Sequence, residues 1–235
     1  STLRVNIAGV GLLGPGLADW AQGSTLLRDP ARWVAAPTVV PAPARLPATE
    51  RRRAGPGIKA AVAVADQACA MAGIDTAATA TVFTSASGDP GTCHAICEAL
   101  ATPDRLVSPT RFTNSVHNAA AGYWHIATQS MQASTSLAGH DASFADGLLE
   151  AAALCASLQA PVLLVASDVP FPEPLHALRP LSDTFACAFV LLPQGGRWRL
   201  LITAPASGAA TKVDMPGLDA VRRGTPAARA LPLLQ

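Results

Sequence analysis

The stretch Ser134-Thr-Ser-Leu-Ala-Gly-His-Asp-Ala-Ser-Phe144 decides how this chain is read. Its first half has strand character and stops at Gly139, and from Ala142 an Ala/Leu-rich run continues to Leu158 as a long helix. A strand that turns sharply into a helix sets its corner residues at the positive end of the helix dipole. Negative charge is stabilised there, and many enzymes hold a nucleophile at such a turn. His140 and Asp141 occupy the corner. Asp141 reads first as an N-cap, a role that needs no reaction, and His140 as an acid or base candidate without a positioned partner. The two do not form a hydrolytic triad with Ser143, because near neighbours in sequence diverge at a turn.

Outward from this corner, strand and helix signals alternate. Residues 3–9, 80–85, 131–138 and 161–166, then 185–192 and 198–203, read as strands, the last two joined by Pro193-Gln-Gly-Gly196. Helices are expected after the Gly-rich turn at residues 9–16, over 57–72 with Gly73 as stop, over 92–100, from Asn114 to Gln129 and over 142–158. Residues 29–47, rich in Pro and Ala, read as an irregular excursion. The alternation predicts an α/β layered fold, α/β/α, with a mostly parallel five-stranded mixed sheet and a buried helix. Residues 1–205 make one domain, and the Gly-, Pro- and Arg-richer remainder, 206–235, is expected to be a loosely held extension.

Composition narrows the function. The 235 residues are 50% hydrophobic but only 5% aromatic and 14% charged, with net charge +1. A chain this long completes a core without disulfides or metal, and Ala, about a fifth of all residues, favours closely packed helices on a sheet. So small a net charge removes the field that nucleic acid or a membrane surface would require. No apolar run reaches the ~18 residues of a membrane span, no signal peptide is seen at the start of the chain, and five cysteines, an odd number, fit a reducing compartment. These features predict a soluble cytoplasmic protein without metal or other cofactor.

Three further motifs carry possible chemistry. Gly9-x-Gly11-x-x-Gly14 has the spacing of a dinucleotide fingerprint, but Pro15 and Gly16 interrupt the helix start that would hold pyrophosphate, and no acidic residue follows at the needed distance. Cys93-His94-x-x-Cys97 puts two sulfurs on one helical face without enough further ligands for a metal, so both read as buried helix cysteines. The densest polar run is Ser108-Pro-Thr-Arg-Phe-Thr-Asn-Ser-Val-His-Asn118, continuing through Ala119-Ala-Ala-Gly-Tyr-Trp-His125. Asn114 or Ser115 can cap the helix that follows, and the small residues 119–122 allow another backbone to approach, so this segment is either a capped helix at a packed interface or the wall of a substrate channel.

Taken together these segments resemble the N-terminal half of a β-ketoacyl synthase. Arg4-Val-Asn-Ile-Ala-Gly-Val-Gly11 resembles that family's opening strand and glycine turn, residues 108–122 its Asn-rich segment, and 134–151 its nucleophile turn and buried helix. Residues 163–168 and 181–192 resemble the strands that complete the half. The likeness covers residues 3 to about 205 and implies a single thiolase-like half. Residues 50–124 look most like the short ketosynthase-like proteins of aryl polyene gene clusters.

The resemblance also carries a departure. Condensing enzymes place a cysteine at the start of the buried helix, where the dipole lowers its pKa; here that position falls on Asp141, or on His140 if the alignment slips by one. Neither forms an acyl thioester, and the family's two catalytic histidines belong to a C-terminal half beyond the likeness. The implied function is a non-condensing subunit, akin to a chain-length factor, that pairs with a full-length ketosynthase or with itself, and meets an acyl carrier protein in aryl polyene, type II polyketide or fatty acid synthesis. The resemblance makes Phe112, Asn114, Ser115, His117, Asn118, Tyr123, Trp124, Ser134 and Ser136 interface and tunnel residues. Two other readings stay open: an acyl-thioester hydrolase or decarboxylase using His140 and Asp141, and a binding module with a pocket beside Phe112 and Trp124.

Overall fold

A computed structural model describes residues 2–203 and 209–235. Six strands form one sheet: β1 (Thr2–Leu13), β2 (Ala80–Thr84), β3 (Ser134–Leu137), β4 (Val162–Asp168), β5 (Phe185–Leu192) and β6 (Trp198–Thr203), in the spatial order β3-β2-β4-β5-β1-β6. The helices are α1 (Trp20–Arg28), α2 (Ala48–Arg53), α3 (Pro56–Ala72), α4 (Pro90–Ala101), α5 (Pro109–Asn114), α6 (Ala119–Thr128), α7 (Ser143–Leu158), α8 (Leu175–Leu178), α9 (Pro216–Gly224) and α10 (Leu231–Leu234). The layered α/β architecture with a mixed sheet is as expected, with six strands in place of five and three of the five pairings antiparallel in place of the mostly parallel order expected. Four strands run in one direction, while β5 and β6 oppose them, so that β1 is antiparallel to both neighbours.

Burial explains the sequence pattern. β2 and β4 are buried along their whole length and β5 nearly so, which is why they read as unbroken apolar runs. One face of the sheet packs against α3 and α6 through Ile58, Val62, Val64 and Trp124, the other against α1, α7 and α9 through Leu27, Phe144, Ala151, Cys155 and Leu218. On this second face α7 buries one side only, with Gly147 fitting against Thr84 of β2.

Two expectations change in the folded chain. The glycines at 9 and 11 do not form a turn, because β1 continues through them to Leu13, with a shift of register against β5 between Ile7 and Gly9. They serve helix packing: a Cβ on Gly9 would overlap the carbonyl oxygen of Ala68, and one on Gly11 that of Val64, so only glycine lets α3 lie so close to the strand. Of the stretch 206–235, residues 206–208 lie outside the described residues, and the part from Val213 onward is packed rather than loose. Leu218, Ala227, Ala228, Ala230 and Leu231 are buried on the α7 side of the sheet, Arg222 Nε donates to Asp219 at 2.6 Å, and the Ala227 N–H donates to Asp168 at 2.7 Å. Its Gly, Pro and Arg residues mask an apolar stripe too short to stand out by composition.

Candidate functional site: the open edge of β3 and the turn after it

β3 is the end strand of the sheet. It pairs in parallel with β2 and has no neighbour on its other side among the described residues, leaving a row of backbone N–H and C=O groups without strand partners. A groove of about 390 Å³ runs between this strand and α6, lined by Asn118, Gly122, His125, Ser134 and Ser136. Beneath it the buried Thr81 hydroxyl donates to Ser134 Oγ at 2.8 Å and lies 3.2 Å from His125 Nε2, and burial lowers the pKa of that imidazole.

The fold thus brings together three expected residues, Asn118, Ser134 and Ser136. His125, at the end of the same polar run, is a fourth that is not among the expected interface and tunnel residues; its signal is the helical spacing 118, 122, 125, which puts it on the same side of α6. In the segment 112–131, which includes α6, Phe112, Val116, Ile126 and Met131 are large apolar side chains standing 52–94% exposed.

Other expected residues go elsewhere. Asn114 ends α5 instead of capping the next helix, because its amide is used in the interior, donating to the Arg53 carbonyl at 3.0 Å and accepting from the Tyr123 hydroxyl at 3.1 Å. Ser115 donates to the Phe112 carbonyl, so it does not cap either. Tyr123 and Trp124 are core: Trp124 is 1% exposed, with the Arg45 guanidinium 5.8 Å from its ring centroid, so its indole offers no open wall to a pocket beside Phe112. His117 donates through Nε2 to the Ser85 carbonyl at 3.0 Å and borders a cavity of only about 30 Å³, room for little more than a water. Cys93 and Cys97, read as buried, are exposed on the outer side of α4.

At the turn, Thr84 Oγ donates to the Ser143 carbonyl and so ties the start of α7 to the end of β2. His140 takes φ of +54°, a left-handed conformation uncommon for a residue with a Cβ. Asp141 is not an N-cap. Ser143 instead knits the corner, accepting from the Gly139 N–H and donating to the His140 carbonyl, while Asp141 turns outward to Arg179 at 2.9 Å, with Arg229 at 3.9 Å.

Arg179 Nη1 also lies 2.6 Å from His140 Nε2, so that nitrogen serves as an acceptor and Nδ1 carries the proton. A carboxylate held between two guanidiniums is a poor nucleophile, and a histidine whose lone pair faces an arginine is a poor base. Among the thiols, Cys155 and Cys187 are buried, which pushes the first up to about 11 and the second higher still, far from thiolate reactivity.

The structure is similar to solved ketosynthases. It matches a complex of the ketosynthase ApeO with its chain length factor ApeC from Xenorhabdus doucetiae at 28% identity and TM-score 0.68, over 83% of this chain and 80% of that one. A β-ketoacyl synthase from Burkholderia phymatum STM815 shares the fold at 17% identity and TM-score 0.66, over 82% of this chain and 59% of that one. The ishigamide ketosynthase/chain length factor shares it at 16% and 0.64, over 87% and 63%. No curated protein matches by sequence. The family model for the β-ketoacyl synthase N-terminal domain matches residues 20–227, nearly the whole chain, and the chain therefore belongs to the β-ketoacyl synthase N-terminal domain family.

Proposed function

We propose that this chain is a non-condensing subunit that pairs with a ketosynthase through its β3 edge and helps to shape the acyl tunnel, the part that a chain length factor plays. The observation that carries the reading is the turn itself: the position that resemblance gives to the nucleophilic cysteine holds Asp141, engaged by Arg179 and Arg229. The similarity to a ketosynthase–chain length factor complex supports it. So do the open edge of β3 and the exposed Phe112, Val116, Ile126 and Met131 in the segment that precedes it. Burying such side chains contributes about 25 cal/mol per Å² of apolar surface, enough for stable association once a standard-sized interface forms.

On this reading each residue has a positional task. The β3 edge supplies backbone hydrogen bonds to a partner strand, Gly122 lets the partner approach α6 closely, and Asn118, His125, Ser134 and Ser136 supply polar contacts at the seam. A cavity of about 30 Å³ beside His117 is too small for an acyl chain, so a tunnel here takes its second wall from the partner. The turn at His140 and Asp141 forms no covalent intermediate.

Co-expression with a full-length ketosynthase and its acyl carrier protein tests the reading. A one-to-one complex is expected, with product chain length that changes when seam residues are enlarged. A chain that stays apart from the ketosynthase and leaves its products unchanged sinks the proposal.

A further inference from the structure

At the opposite end of the sheet from β3, a second groove opens on the α7 side between α1, β6 and α10. Its volume is about 310 Å³, at the lower end for small-molecule sites. The floor is apolar, made by Ile7, Val10 and Phe189 of β1 and β5, all nearly fully buried. Trp20 and Trp198 form one wall, edge to face with ring centroids 6.2 Å apart, and Leu200 and Leu234 close the others. Trp198 remains 42% exposed, which leaves aromatic surface facing the opening.

The charged side chains that line this groove share one sign. Arg28 and Arg199 line it, both exposed, and among the described residues neither has an ion-pair or side-chain hydrogen-bond partner, unlike Arg45, Arg53, Arg179, Arg222 and Arg223. Ser24 adds a hydroxyl on the α1 wall. The Gln235 amide, also at the lining, is engaged with Asp214 at 3.3 Å. Charge complementarity therefore asks for an anionic group at the rim, and the floor asks for an apolar body. A small polar dianion would leave the floor wet, and a neutral chain would leave both guanidiniums without a counter-charge.

We propose that this groove binds an aliphatic carboxylate of medium length, its chain along Phe189 and the tryptophan pair and its carboxylate between Arg28 and Arg199. The site is separate from the β3 edge, so it stands or falls independently of the pairing with a ketosynthase. A volume of about 310 Å³, at the lower end for small-molecule sites, suits a chain of medium rather than long length.

Titration of the full chain with decanoate and with decanol, followed by tryptophan fluorescence and calorimetry below the micellar range, tests the site. Saturable one-to-one binding of decanoate is expected, about tenfold tighter than decanol. Arg28→Gln combined with Arg199→Gln should abolish that preference, and Ser24→Trp, which fills the groove, should remove binding of both probes. Near-UV circular dichroism checks that each variant folds, and the exposed-wall variant Trp198→Ala replaces Ser24→Trp if the latter does not. The proposal is overturned by absence of saturable decanoate binding, by equal affinity for the two probes, or by binding that survives both the charge and the filling variants.

Discussion

Replacing Asp168 with alanine is the sharpest test of how the turn and the C-terminal segment are held together. Asp168 ends β4 at 1% exposure and accepts from the Ala86 N–H and the Ala227 N–H, each at 2.7 Å, and from Ser85 Oγ at 3.2 Å. It thus fastens the loop after β2 and the start of the C-terminal segment to the same strand end, and Arg229, two residues beyond Ala227, reaches Asp141. Asp168→Ala leaves two backbone N–H groups without acceptors, and each orphaned donor costs about 1–3 kcal/mol. Part is offset, since burial outweighs the hydrogen bonds and raises the Asp168 pKa, so the ionised carboxyl is itself held at a cost.

The expected net loss is about 2–4 kcal/mol, read from urea unfolding with an unchanged slope. Amide exchange should accelerate first at residues 226–231. The sign with pH follows from the raised pKa: wild-type stability from this group is fully present below the unfolded carboxylate range and declines as pH rises through the folded value, and the variant should lack that decline. A loss below about 1 kcal/mol, or uniform exchange without early opening of 226–231, refutes the fastening role.

Other expectations follow from single positions. Gly11→Ala drives a Cβ into the Val64 carbonyl and should cost about 3 kcal/mol or more in thermal or urea unfolding. Gly122→Ala meets nothing within 4 Å inside a helix, so it should stabilise the isolated chain by about 0.5–1 kcal/mol while weakening the complex with a ketosynthase, a split read by unfolding and by sedimentation. In the native protein a thiol reagent should reach the exposed Cys93 and Cys97 first, although partial burial and Asp89 raise the Cys93 thiol, and leave Cys69, Cys155 and Cys187 until unfolding, since burial pushes Cys69 up to about 12. The Arg222 guanidinium beside Asp219 lowers that carboxyl's pKa, so its stabilisation is present above the ordinary carboxylate range and lost as pH falls through the lowered value. Acidification should therefore loosen α9, an effect that Asp219→Asn removes from the pH profile of exchange at residues 216–224.

The fold was largely legible because buried strands advertise themselves. Runs such as Val162–Asp168 are apolar on both faces, and Gly73 stops α3 in the left-handed conformation that its position in the sequence suggests. What escaped reading depends on long-range packing. The glycines of β1 look like turn residues until α3 is seen pressed against them, and residues 216–231 look loose until their apolar side meets the sheet. At the site, the corner at 140–143 was found from sequence, but not the roles within it. Asp141 has the type of an N-cap and is drawn off by Arg179, 38 residues away, while Asn114 is claimed by Tyr123. His125 gains meaning only beside Thr81 and Ser134, from two other strands.

The measurement that bears most directly on the account is the mass of the species formed when the purified chain is mixed with a full-length ketosynthase, by native mass spectrometry. The account predicts a one-to-one heterodimer that Ile126→Asp with Met131→Asp abolishes without unfolding the chain. Two separate species under the same conditions, or a heterodimer indifferent to those substitutions, contradict it.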